Sequence, residues 1–198
     1  MPTIFTHPAV PLALGLTPTR QTISLRLLLA GVICSVVPDV DVVAFQLDIP
    51  YGHASGHRGF THSIVFAVLL ALLAVAAHRA LKTRVTIAFV FIFICTLSHG
   101  VLDAMTTGGL GIAFLWPFEQ RYFLPWRFIQ VSPIGFSFFS SWGLAVLKTE
   151  LLWVWLPALV IATCGFFGRR IYARAKPLTQ SHVHLRTSQS SSHPGSQR

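Results

Sequence analysis

Three short polar stretches interrupt an otherwise apolar chain, and their residue types are those that hold divalent metal ions. The first is PDVD at 38–41, with Asp39 and Asp41. The second is HASGHRGFTHS at 53–63, with His53, His57, Arg58, Thr61 and His62. The third is LSHGVLDAMTTGG at 97–109, with His99 and Asp103. Carboxylate oxygens and imidazole nitrogens are the donors that divalent ions take, and short spacings preorganise them. His99 and Asp103 are four residues apart, so on a helix both project from one face. Three of the six acidic residues of the chain fall in these stretches, each next to a histidine-bearing segment. A second arrangement satisfies the same side chains: an ion-pair and hydrogen-bond network tying helix ends together, with Asp39 and Asp41 capping a helix. His53, in a glycine-rich loop, suits either a ligand or a turn.

The elements that must position these residues follow from composition. Of the 198 residues, 53% are hydrophobic and only 11% charged, with a mean hydropathy of +0.64. Those values lie outside the range of soluble domains. The expected fold is all-α: a polytopic membrane helical bundle with four or five segments of roughly 20 residues each. Charges at mid-bilayer are expensive, so charge-free intervals locate the segments. Residues 59–78, 85–102 and 151–168 contain no Asp, Glu, Lys or Arg. The run from Leu27 to Pro38 is shorter and predicts a span that ends at PDVD. The opening MPTIFTHPAVPLALGLTPT is broken by Pro2, Pro8, Pro11 and Pro18, which suits a short or re-entrant helix. Residues 128–147 read as an interfacial or re-entrant stretch as readily as a span. A membrane domain over 1–170 is followed by a basic, Ser-rich tail over 171–198, expected to be disordered and cytoplasmic, whose His182, His184 and His193 read as solvated.

Lysine and arginine gather on the cytoplasmic side of membrane segments. Arg79, Lys82 and Arg84 lie in the loop after the 59–78 segment, and Arg169, Arg170, Arg174 and Lys176 follow the last one. This predicts a cytoplasmic loop and tail, and it brings the three polar stretches to the opposite, outer face. The net charge of +9 is then a topology signal and an attraction to anionic lipid, and no nucleic-acid partner is expected. His78, beside Arg79, reads as an interfacial histidine. Cys34, Cys95 and Cys164 all fall in apolar segments and offer no disulfide framework. A P-loop, a dinucleotide fingerprint and a serine elbow are all missing. A transporter would carry its ionisable residues along a midplane path, whereas these cluster toward segment ends.

Thr6 and His7, PDVD, HRGFTHS at 57–63, LSHGVLDAMT at 97–106, GGLGIAFLWPF at 108–118 and RYFLP at 121–125 together resemble the YdjM-like inner-membrane proteins, a family classed as membrane-bound metal-dependent hydrolases. The resemblance covers about the first 130 residues. It implies a multi-pass protein of the cell inner membrane and a metal site whose candidate ligands are His7, Asp39, Asp41, His57, His62, His99 and Asp103. Seven donors exceed what one zinc ion takes, so some orient the others or two ions share the site. The implied cofactor is a divalent ion, zinc or manganese. Asp41 or Asp103 is then the candidate proton acceptor. Arg58 either holds an anionic group of a lipid or other membrane-associated substrate, or closes a carboxylate pair. The competing expectation is a non-enzymatic membrane protein in which the same cluster holds a structural metal or forms an interaction surface.

Overall fold

The computed structural model of the chain describes residues 1–17, 23–118, 120–133 and 138–175. Among these residues the protein is all-helical, as composition predicts. Pairing of extended segments is limited to two isolated bridges, Thr106 with Ile129 and Ile112 with Tyr122. Most of the C-terminal tail, with His182, His184 and His193, lies outside the described residues.

Helix α1, Ala9–Leu16, forms in spite of the prolines around it. Pro8 and Pro11 sit before and within the first turn, where amide hydrogens have no helical acceptor, so their missing N–H groups remove no bond. With 8 residues it extends only about 12 Å at the usual helical rise, far short of a bilayer. Helix α2, Leu25–Cys34, starts at Ser24, whose Oγ accepts the Leu27 amide at 3.1 Å. Contrary to the expected stop at PDVD, the run continues as a 3-10 helix over Val37–Leu47. The whole stretch Leu25–Leu47 spans 23 residues and is long and apolar enough to cross a membrane. Pro38 sits in the first turn of this tighter helix, where its missing amide hydrogen removes no bond. Asp39 therefore belongs to a helical run and points inward, 6% exposed.

Helix α3, Ile64–Ala76, begins at Ser63, whose Oγ accepts the Phe66 amide at 3.1 Å. Its 13 residues extend about 20 Å, less than the roughly 30 Å of a hydrocarbon core. The charge-free interval 59–78 overstated this helix because its first residues are diverted into a short 3-10 turn, Phe60–His62. Helix α4, Val85–Ala104, has the length and composition of a span, and α3 and α2 pack along it. Helix α5, Ser141–Glu150, a π turn at Leu151–Trp155 and helix α6, Leu156–Ala175, form one run. Ser141–Gly168, 28 residues, is the third stretch able to cross a membrane, with only 6% of its most apolar window buried. The last stretch able to cross a membrane thus begins before Glu150, not after it. Residues 128–133, part of the stretch expected to be interfacial, lie outside the helices, while 141–147 lie in α5.

The core that fixes α2 on α4 contains Leu27, Ala88, Phe91, Ile92 and Cys95. Gly31 allows the close approach: a Cβ there would lie 2.5 Å from Phe91 Cε1 and 3.1 Å from Cys95 Sγ. Gly31→Val should therefore force this interface apart and destabilise the protein by about 1–3 kcal/mol, the usual range for overpacking. Thermal unfolding of the purified protein in detergent reads the change, and unaltered stability would show that the helices do not meet at Gly31.

Candidate metal centre

Helix α4 supplies two donors one turn apart, His99 and Asp103, both fully buried. Gly100 between them lets the Phe60–His62 turn come close, since a Cβ on Gly100 would lie 3.1 Å from the His62 carbonyl oxygen. The 3-10 extension of α2 brings Asp39, and the turn before α1 brings His7, which stacks on His99 with ring centroids 3.8 Å apart. His99 Nε2 lies 3.0 Å from His62 Nε2 and 3.3 Å from Asp39 Oδ1. His62 Nε2 lies 3.5 Å from Asp103 Oδ2. His7 Nε2 completes the group, 3.7 Å from Asp39 Oδ2 and 3.9 Å from Asp103 Oδ1. Donor atoms of Asp39, His62, His99 and Asp103 all fall within 4.8 Å of one another.

The hydrogen-bond pattern behind these atoms decides which of them are free. His99 Nδ1 is 2.8 Å from the Ser35 carbonyl, which only accepts, so Nδ1 carries the proton and Nε2 presents a lone pair. His62 Nδ1 is 3.1 Å from Asp41 Oδ2, a carboxylate, with the same consequence. Two imidazole lone pairs 3.0 Å apart need a proton or a cation to reconcile them. The separation is also close to that of adjacent nitrogen ligands each about 2.0–2.1 Å from one ion. Among the described residues, both oxygens of Asp39, both oxygens of Asp103 and both nitrogens of His7 are buried without a hydrogen bond. Such groups are rare in a folded interior and call for an explanation. Burial, with neighbouring His99 adding to it, depresses the His7 pKa to about 3, so this imidazole is neutral and one ring nitrogen offers a lone pair. The donor set therefore fits a divalent cation.

Two of the seven expected ligands occupy a layer behind the centre. Asp41 Oδ1 pairs with His57 Nδ1 at 2.6 Å, and Asp41 Oδ2 accepts the Arg58 amide at 3.0 Å and the Thr61 hydroxyl at 2.7 Å. Asp41, His57 and His62 also lie close enough together to hold an ion. Their facing atoms, however, are already joined by hydrogen bonds, the arrangement in which a carboxylate fixes the tautomer and direction of a ligating histidine.

Of the two roles open to Arg58, the geometry favours the carboxylate pair. The side chain is fully buried, with Nε 3.0 Å from Asp103 Oδ2. Its Nη1 donates to the carbonyls of Gly108 and Leu110 at 3.1 and 2.7 Å, and Nη2 donates to Thr106 Oγ1 at 3.0 Å. All three nitrogens of this guanidinium face protein oxygens, and its complete burial keeps it out of a substrate's reach. His53 is exposed, and its Nδ1 accepts the Ser55 amide, so it is a turn residue. Arg121, which no sequence argument singled out beyond its place in RYFLP, donates to the carbonyls of Tyr51, His53, His57, Arg58 and Gly111 at 3.0–3.3 Å. It ties the 51–58 loop to the 108–112 loop. The Ser35 carbonyl left no signal in the sequence, because a backbone group contributes no residue type.

Fold and site together define a helical protein with three stretches long and apolar enough to cross a membrane and a buried His/Asp group able to hold a metal ion. The chain belongs to the family described as YdjM inner membrane protein, whose family model matches residues 1–175. Over 173 residues it is 42% identical to the inner membrane protein YbcI of Escherichia coli (strain K12), a match covering 86% of this chain and 100% of that protein. No solved structure matches it.

Removing the guanidinium would take away the cation in contact with Asp103 and the donor shared by Gly108, Leu110 and Thr106. Arg58→Ala should destabilise the fold by about 3–5 kcal/mol, as expected when one partner of a buried pair is lost. Denaturation in detergent micelles measures it, and a loss well below 1 kcal/mol would contradict the buried pairing.

Proposed function

We propose that this chain is a multi-pass, metal-dependent hydrolase of the inner membrane acting on a lipid or other membrane-associated anionic substrate. The observation that carries the reading is the convergence of His7, Asp39, His62, His99 and Asp103, with carboxylates and an imidazole free of hydrogen bonds. Zinc or manganese bound there would polarise a scissile bond and lower the pKa of a water toward neutrality.

The chain's own residues do the rest. Asp41 and the Ser35 carbonyl hold His62 and His99 with Nε2 inward. Asp41, engaged on both oxygens, orients and does not take up a proton. Asp103 Oδ1 carries no hydrogen bond and is the candidate proton acceptor for an attacking water. Arg58 fixes Asp103 through its other oxygen. The lipid reading draws on a mostly apolar groove of about 570 Å³ between the Val37–Leu47 helix and the start of α3, lined by Val40, Ala44, Phe60 and Phe66 and reaching Asp41 and Thr61. Its size and character suit a hydrocarbon ligand. A structural-metal role is the second reading, favoured by the 0–6% exposure of the candidate ligands, since structural sites are closed.

The test is release of a water-soluble product from anionic phospholipid vesicles by protein loaded with zinc or manganese. Asp103→Asn should insert normally yet lose metal and at least about 100-fold in rate, the lower end of what a positioned acid–base group contributes. Metal-loaded wild-type protein that releases nothing would leave the structural role as the better account.

A further inference from the structure

Glu150 is the tenth residue of the run Ser141–Gly168, yet it is only 1% exposed. A carboxylate inside a membrane-crossing helix is costly and marks a functional position. Its oxygens accept the backbone amide and the hydroxyl of Thr3, the latter at 2.7 Å, and the hydroxyl of Thr6 at 2.8 Å. Thr3 and Thr6 belong to one turn, closed by the Thr6 amide on the Thr3 carbonyl at 2.9 Å. That turn leads into α1 through the Ala9 amide on the Thr6 carbonyl at 3.0 Å. His7 follows Thr6 directly. Neither of its ring nitrogens has a hydrogen bond among the described residues, so its direction depends on the turn that carries it and on the stack against His99. The nearby packing of Ala9, Leu102, Ile129 and Val154 does not involve the carboxylate and holds α1 in place independently.

We propose that Glu150 is a positioning residue: it clamps the Thr3–Thr6 turn so that His7 is delivered to the metal centre, coupling the long C-terminal helix to the site. The inference rests on the metal-centre reading. It differs from a plain tether in one respect, because a tether would hold the N-terminal segment without affecting metal affinity.

Cobalt(II) titration of the purified full-length protein, followed by its visible absorption, separates the two. Wild-type binding examines the metal centre itself, and a wild-type protein that takes up no cobalt removes the basis of the proposal. Given wild-type binding, Glu150→Ala should weaken affinity about 10–100-fold, the range for groups that orient ligands. It should also reproduce the His7→Ala absorption spectrum. The double variant should lose little more than either single one, since both changes remove the same donor. Glu150→Gln, which keeps hydrogen-bonding capacity, should lie nearer wild type than Glu150→Ala does. Thr6→Val, which deletes one hydroxyl at nearly constant volume, should give a smaller loss in the same direction and decides the matter if Glu150→Ala does not fold. Unchanged affinity in Glu150→Ala, or in Thr6→Val where that variant must decide, overturns the clamp, and so do losses that multiply in the double variant.

Discussion

The structure turns on burying Asp39, Asp41 and Asp103 together in a chain whose surroundings are apolar. Three carboxylates face one guanidinium, Arg58, and the other nearby groups able to carry positive charge are the Met1 amino group and His62, whose pKa is raised to about 9 because, against burial, the hydrogen bonds and charge of Asp103 and Asp41 prevail. Charges placed this way are tolerated only when paired or bound to metal. A divalent cation taking the place of the His62 proton would supply positive charge where it is needed, and the unbonded oxygens of Asp39 and Asp103 are where it would be felt most. The hydrogen bonds of the outer layer, Asp41 to His57 and His62, and Ser35 to His99, then read as devices that keep the facing atoms as acceptors.

Each structural element serves that convergence in a distinct way. Helix α4 fixes the spacing of His99 and Asp103. The 3-10 extension beyond Pro38 carries Asp39 into the interior, where an ordinary helix stop would have left it at a surface. Arg58 adopts a left-handed backbone with φ 63°, a conformation disfavoured for residues with a Cβ. It is held there by bonds at both ends: its amide donates to Asp41, and its carbonyl accepts from Ala113 and Arg121. Residues 106–111 are thereby pinned by Arg58 and Arg121, and the apolar helices provide the low-dielectric wall.

Much of the site was legible in the sequence because polar residues stand out in an apolar chain. The four-residue spacing of His99 and Asp103 needs only helical geometry to be read. The division into facing donors and an outer layer was not legible, since it depends on how the chain passes Pro38 and on the path of the 51–62 loop. Counting charged residues also misplaced two boundaries. It ignored histidine, so α3 was extended over residues that turn aside to present His62. It treated Glu150 as a span end, although two threonines more than 140 positions away in sequence satisfy that carboxylate inside the helix. Arg58 was left with two roles because its choice depends on the Gly108 and Leu110 carbonyls, which have no signature of their own.

X-ray absorption spectroscopy, combined with metal analysis of the wild-type protein purified from membranes without chelators, addresses the central claim most directly. One divalent ion per chain is expected, in a shell of nitrogen and oxygen donors with the scattering pattern of imidazole, and lost on acidification as the ligands protonate. A protein that is folded and metal-free, or an ion bound through sulfur, would contradict it.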